Sequence, residues 1–119
     1  MYTNSSIPTR RGFDHWYGLY QGGATHFSHL FPSLERGGIF DLHDDEVADR
    51  TSSGVYSAEL YGIRAVQYIL DHAADADPRP IFLYFALQNP HEPLESPPEY
   101  MMRDACANID NTGDRRTFW

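Results

Sequence analysis

The longest unbroken apolar run in the chain is Ile81-Phe82-Leu83-Tyr84-Phe85-Ala86-Leu87, bracketed by Pro80 on one side and Pro90 and Pro93 on the other. A strand with one wet face alternates apolar and polar residues, whereas a strand covered on both faces reads as a continuous apolar run. Seven residues is strand length and too short for an independent helix. The pattern therefore predicts a buried central strand at 81–87 in a mostly parallel sheet. Residues 88–100 then form the loop beyond its carboxyl end, where open α/β sheets hold their ligands.

Upstream, Leu60, Ile63, Val66, Ile69 or Leu70, and Ala73 recur at spacings of three and four. That periodicity predicts a helix over 57–75 with one apolar face. Ser57 is the expected N-cap and Glu59 sits in the positive first turn. Pro78 ends the pattern because it cannot continue a helix. Helix, short proline-bounded loop and buried strand make the αβ half of a βαβ unit, which sets the class as α/β. Residues 1–20 read as a loop followed by a short aromatic strand or packed turn around residues 13–20. Residues 21–54 are punctuated by glycines and Pro32, and read as an irregular surface insert with a short edge strand at 38–42. A helical turn is expected near residues 99–102.

Composition narrows the function. The 119 residues carry 17 acids against 9 bases, a formal charge of −8, and every one of those bases is arginine. Nucleic-acid and anionic-membrane surfaces need clustered cations, so both are disfavoured. Eight Tyr, seven Phe and two Trp mark a packing chain. No apolar run approaches the roughly 20 residues of a membrane span. Met1 is followed by Tyr2-Thr3-Asn4-Ser5-Ser6, so no signal peptide is expected in these residues. Cys106 is alone, which excludes an intrachain disulfide. A two-sided strand with one helix and two weak strand candidates lacks neighbours and cover. The expectation is a piece of a larger domain, with a small complete α+β domain as the other reading.

Several residues bear on chemistry. His91, between Pro90 and Glu92-Pro93, lies just past the apolar run; it is either an ordinary loop histidine or a fixed imidazole able to hydrogen-bond an anion or move a proton. His26 and His29, with His43 and its following acids nearby, are either surface loop histidines or a metal site. Arg10-Arg11 is either an anion fork or a loop lock to Asp14. Asn4-Ser5-Ser6 fits the N-glycosylation sequon. No Gly-x-Ser-x-Gly elbow and no phosphate-cradling glycine loop is present. Cys106 has no basic neighbour in sequence to activate it.

Two segments then carry a resemblance. Pro8-Thr9-Arg10-Arg11-Gly12-Phe13-Asp14-His15-Trp16-Tyr17-Gly18 resembles the loop that follows the Gly-Lys-Trp-His-Leu-Gly signature in arylsulfatases. Pro80 through Leu94, with Gln88-Asn89-Pro90-His91-Glu92-Pro93 at its centre, resembles the strand and active-site histidine loop of the same family. Together they identify residues 1 to about 100 as similar to the type I sulfatases, nearest the arylsulfatase B branch (N-acetylgalactosamine-4-sulfatase) with its I and J relatives. The likeness is weakest at 21–52.

The resemblance implies a fragment of an alkaline-phosphatase-like domain, a mostly parallel sheet flanked by helices, that hydrolyses sulfate esters. It implies a formylglycine nucleophile, a calcium ion held by Asp and Asn, and Lys and His side chains that neutralise the sulfate. Of these parts only His91 transfers to this chain, as a catalytic and substrate-binding residue. Cys106 lacks the Pro and Arg of the formylglycine motif, and the missing lysines, metal ligands and nucleophile lie outside these residues. The implied substrate of the full-length parent is a sulfated carbohydrate such as a glycosaminoglycan, in a lysosomal or secreted compartment. The chain alone is expected to be inactive. The alternatives are a truncated, non-catalytic homologue serving as a binding module, and a metal-binding module built on His26, His29 and His43.

Overall fold

The computed structural model describes residues 6–33, 37–76 and 79–101. Asn4, Cys106 and the end of the loop at 77–78 lie outside them. A 3-10 turn at Pro8–Arg10 leads into strand β1 (Tyr17–Leu19). Then come β2 (Leu30–Phe31), β3 (Ile39–Phe40), β4 (Leu42–Asp44), β5 (Val47–Ala48), a second 3-10 turn at Arg50–Ser52, helix α1 (Ser57–Ala73) and a short α2 (Pro98–Met101).

The strands form two small sheets, one ordered β1-β4-β5 and one pairing β2 with β3. Every described pairing is antiparallel, including Tyr17 opposite Asp44 and Leu30 opposite Phe40. The mostly parallel sheet expected from the sequence is therefore not present among the described residues. For the β2–β3 and β4–β5 pairs the reason is connection length. Strands as close in sequence as β4 and β5 can only turn back on each other, and a parallel pair needs a crossover of a dozen residues or more. The one helix long enough to be a crossover, α1, leads to 81–87, and that run carries no strand pairing.

Residues 81–87 correct a second expectation. They are not a buried strand: Ile81, Phe82, Leu83, Tyr84, Phe85 and Leu87 are all exposed, Phe82 at 77%. Phe82 meets Phe13 with ring centroids 6.1 Å apart, which covers little of either. A two-sided apolar strand needs a partner on each edge and cover on each face, and the described residues supply neither. Helix α1 repeats the point. Its expected apolar stripe is outward, with Ile63, Val66, Ile69 and Leu70 exposed. The face that packs carries Ser57 and Tyr61, both buried. Tyr61 meets the Tyr17 ring edge-on at 6.1 Å, and the Arg64 guanidinium lies 4.5 Å over that ring while holding Asp44 at 2.7 Å. So much uncovered apolar surface makes a clear prediction. Residues 1–119 on their own should bind an apolar dye and melt without a sharp transition. A cooperative melt at high temperature with no dye binding would contradict it.

The expected insert at 21–54 is not a surface excursion. It holds four of the five strands and the buried side chains Ala24, His26, His29, Asp41 and Leu42. The edge strand expected at 38–42 is split at Asp41 into β3 and β4, and β4 is the centre of its sheet. Arg10 does not lock to Asp14. It makes a two-pronged contact with Glu46, Nε to Oε1 at 3.2 Å and Nη2 to Oε2 at 3.0 Å.

Asp49 anchors the turn that feeds α1. Its carboxylate accepts from Thr51 N (3.1 Å), Thr51 Oγ1 (2.6 Å), Ser52 Oγ (2.6 Å) and the Tyr17 hydroxyl (2.8 Å). Burial pushes its pKa up, but the bonds from Ser52, Thr51 and Tyr17 outweigh that and hold it well below the usual carboxylate range. A carboxyl whose folded pKa is depressed contributes stability that is in full above the unfolded value of about 3.9 and is lost as pH falls through the folded one. Titration of the Asp49 carboxyl carbon by NMR should show a midpoint well under 3.9; an ordinary midpoint would remove this contribution.

Candidate functional site

The loop around His91 is tied down by two segments distant in sequence and by a turn of its own. Gln88 Nε2 donates to the Ala24 carbonyl. His91 N donates to Gln88 O at 2.9 Å, closing a tight turn over two of the loop's prolyl-flanked residues. Asn89 Nδ2 donates to the Tyr56 hydroxyl (2.6 Å), and that hydroxyl donates to Glu95 O (3.0 Å). His26 N donates to the Glu95 carboxylate. The anchors are the buried turn at 24–26 and the start of α1. The local sequence explains both. Ser57 is not the N-cap, which is Tyr56, so its hydroxyl is free to turn to the His26 ring while its N–H donates to His26 O at 2.8 Å.

The His91 side chain itself is exposed. Its Nδ1 lies 2.7 Å from Glu92 O. A carbonyl only accepts, so Nδ1 carries the proton of that bond. This leaves Nε2 as the working atom: an acceptor when the ring is neutral, a donor when it is protonated. Nε2 faces Gly22. A Cβ added at Gly22 would stand 3.6 Å from Nε2 and 3.8 Å from Cε1, so any side chain there would occupy the approach to that nitrogen. Gly22 was not legible as a site residue, because nothing in a Gly-Gly pair says that it faces a histidine 69 positions on.

His91 lines an open cleft of about 1460 Å³ together with β1, one face of α1 and residues 79–88. Its walls mix aromatic and apolar side chains with Arg64, Asp44 and His72.

The three candidate metal ligands do not converge. His26 Nδ1 is with Ser57 Oγ and its Nε2 with His91 O, each at 3.2 Å. His29 is buried, with Nε2 on Ser52 O at 3.2 Å and burial pushing its pKa down. His43 Nδ1 sits 2.8 Å from Asp41 O, and its ring packs on Tyr20 at 4.0 Å. Each ring is held by packing and by backbone or hydroxyl groups. Among the described residues no three His, Cys, Asp or Glu side chains could hold a metal ion. The metal-module reading is therefore set aside for these residues.

The chain aligns over 119 residues with arylsulfatase J of Mus musculus at 34% identity, covering 97% of the chain and 19% of that relative. With an arylsulfatase of Klebsiella aerogenes it is 30% identical over 100 residues, covering 82% of the chain and 21% of the relative. The chain is similar to sulfatases. The likeness read from its two motifs thus stands at the level of the sulfatase family. The chain spans about a fifth of the length of these relatives. No protein-family model matches it. No helix among the described residues is long and apolar enough to cross a membrane.

Proposed function

We propose that these residues are part of the catalytic domain of a sulfuric ester hydrolase, a type I sulfatase of the arylsulfatase B-like branch, and that His91 belongs to its active site. The observation that carries the reading is similarity to arylsulfatases over 97% of the chain. The fixed His91 loop agrees with it. With Nδ1 held by Glu92 O, a protonated ring presents Nε2–H to the ester. That hydrogen can bond a sulfate oxygen and pass to the departing sugar oxygen as the S–O bond breaks, leaving the ring neutral. The proposed substrates are sulfated sugars, and the proposed compartment is lysosomal or secreted. The parent domain is proposed to be alkaline-phosphatase-like. The formylglycine nucleophile, the calcium ligands and the lysines belong, in this reading, to parts of the parent outside these residues, so residues 1–119 alone do not turn over.

The test is an assay of the full-length protein on a chromogenic aryl sulfate and on sulfated oligosaccharides. Turnover supports the enzyme; binding of sulfated sugar with no turnover of any sulfate ester supports the non-catalytic homologue instead.

A further inference from the structure

We infer that His26 is a positioning residue for His91, acting by holding the main chain of the active-site loop from beneath. The kinetic part of this inference rests on the function proposed above; the structural part does not.

The ring of His26 is 1% exposed, between the turn at 24–26 and the start of α1. Its Nε2 is 3.2 Å from His91 O, a group that only accepts, so Nε2 carries a proton. In the neutral ring the Nδ1 atom, 3.2 Å from the Ser57 hydroxyl, accepts that hydroxyl's hydrogen. Both ring nitrogens thus have a partner. Its face stacks on Tyr56 at 5.5 Å and 18°. Ser57 is fully buried, so this Ser–His pair has no access to substrate and is not a nucleophile with its base. The direction of the chain is Ser57 hydroxyl to His26 ring to His91 carbonyl. It ties the first residue of α1 to a loop residue that lines the cleft. The main chain of His26 takes part too, through its N–H on the Glu95 carboxylate four residues past His91.

This arrangement separates two jobs that a sequence cannot separate. His91 offers its side chain to the cleft and its carbonyl to the interior. His26 grips only the carbonyl. Loss of that grip lets the loop shift, and displacement of a reacting group by an ångström is enough to cost activity.

Two amide variants test it in the full-length protein. In His26→Gln the amide nitrogen reaches the place of Nε2 and keeps the donor to His91 O. In His26→Asn the shorter side chain reaches only the place of Nδ1 and loses it. The expected result is a kcat lowered on the order of 10-fold or more in His26→Asn, with KM little changed, and largely restored in His26→Gln. Long-range proton–nitrogen NMR of the His91 ring reads the same point without turnover. Wild type and His26→Gln should show the proton on Nδ1, and His26→Asn a mixture of tautomers. Equal kcat and an unchanged His91 spectrum in both variants would overturn the inference, as would equal loss in both, which marks His26 as merely structural. If His91→Ala leaves kcat untouched, the role of His91 falls, while the ring spectrum still decides whether His26 holds the loop. Should His26→Asn fail to fold, Ser57→Ala, which frees the acceptor side of the ring, is expected to give a smaller shift toward the mixed-tautomer spectrum; no shift would overturn the inference.

Discussion

Alanine at position 91 is expected to lower kcat of the full-length protein about 100-fold or more, the usual cost of losing one positioned acid or anion contact. The variant should fold, because the bonds that hold the loop come from its main chain and from the Gln88, Asn89 and Glu95 side chains, not from the His91 ring. His91 N donates to Gln88 O, and His91 O accepts from His26; alanine keeps both groups. The only side-chain bond lost is Nδ1 to the neighbouring Glu92 O, a local contact. The loss should therefore fall on chemistry and not on the amount of folded protein. Glutamine at the same position separates two contributions. It can still donate a hydrogen bond to a sulfate oxygen but cannot give up a proton. If proton transfer to the leaving oxygen dominates, His91→Gln should be nearly as slow as alanine on sugar sulfates and closer to wild type on aryl sulfates, whose leaving oxygen needs no proton. Unchanged kcat and KM in His91→Ala would remove the residue from the mechanism.

The legible parts of this chain are those that depend on near neighbours. The three-and-four spacing from Leu60 to Ala73 marks a helix because periodicity is a local property, and α1 runs Ser57–Ala73. Which face of it packs is not local. The apolar stripe won in the sequence because Ile and Leu outweigh Tyr on any hydrophobicity scale. Tyr61 won in the structure because its ring meets Tyr17 and its neighbour Arg64 can span to Asp44. The run at 81–87 shows the same limit. Its composition marks it as something to be covered, but what covers it is not contained in its own residues. His91 stood out by its prolines. The residues that fix it, His26, Ser57 and Ala24, lie 34 to 67 positions away and carry no pattern that links them to the loop. His26 was visible only as a histidine, and the spacing to His29 suggested a metal where the structure has a hydrogen-bond relay. Arg10 and Glu46, 36 positions apart, illustrate how a charge pair escapes a reading that looks nearby for its partner, here to Asp14.

Asp41 is the clearest residue missed, and its replacement should produce the second large effect. In the sequence it lies within a Gly-Ile-Phe-Asp-Leu run that reads as one strand, so an acid there reads as the wet face of an edge. In the structure it is 4% exposed and splits that run in two. Its Oδ1 accepts from Tyr20 N at 3.1 Å and its Oδ2 from Gln21 N at 2.8 Å. Burial pushes its pKa up, and the two main-chain donors with His43 only partly offset that. A carboxyl whose folded pKa is raised contributes most below its unfolded value, and its contribution falls as pH rises through the folded one, the opposite sense to Asp49. The two N–H groups it caps open the segment that runs on to Gly22, the wall facing His91 Nε2. Asp41→Ala removes the charged acceptor of two partly buried N–H groups, at about 1–3 kcal/mol each. Hydrogen exchange of the Tyr20 and Gln21 amides in the full-length protein should therefore quicken by about 5- to 150-fold, since 1.4 kcal/mol is tenfold. Asp41→Asn keeps one oxygen acceptor and should slow one of the two amides back toward wild type. Because residues 20–22 form one side of the approach to His91, the alanine variant should also lower kcat while leaving the His91 loop's own amides protected. Exchange at Tyr20 and Gln21 that does not change in Asp41→Ala would show that the carboxylate does not hold this wall.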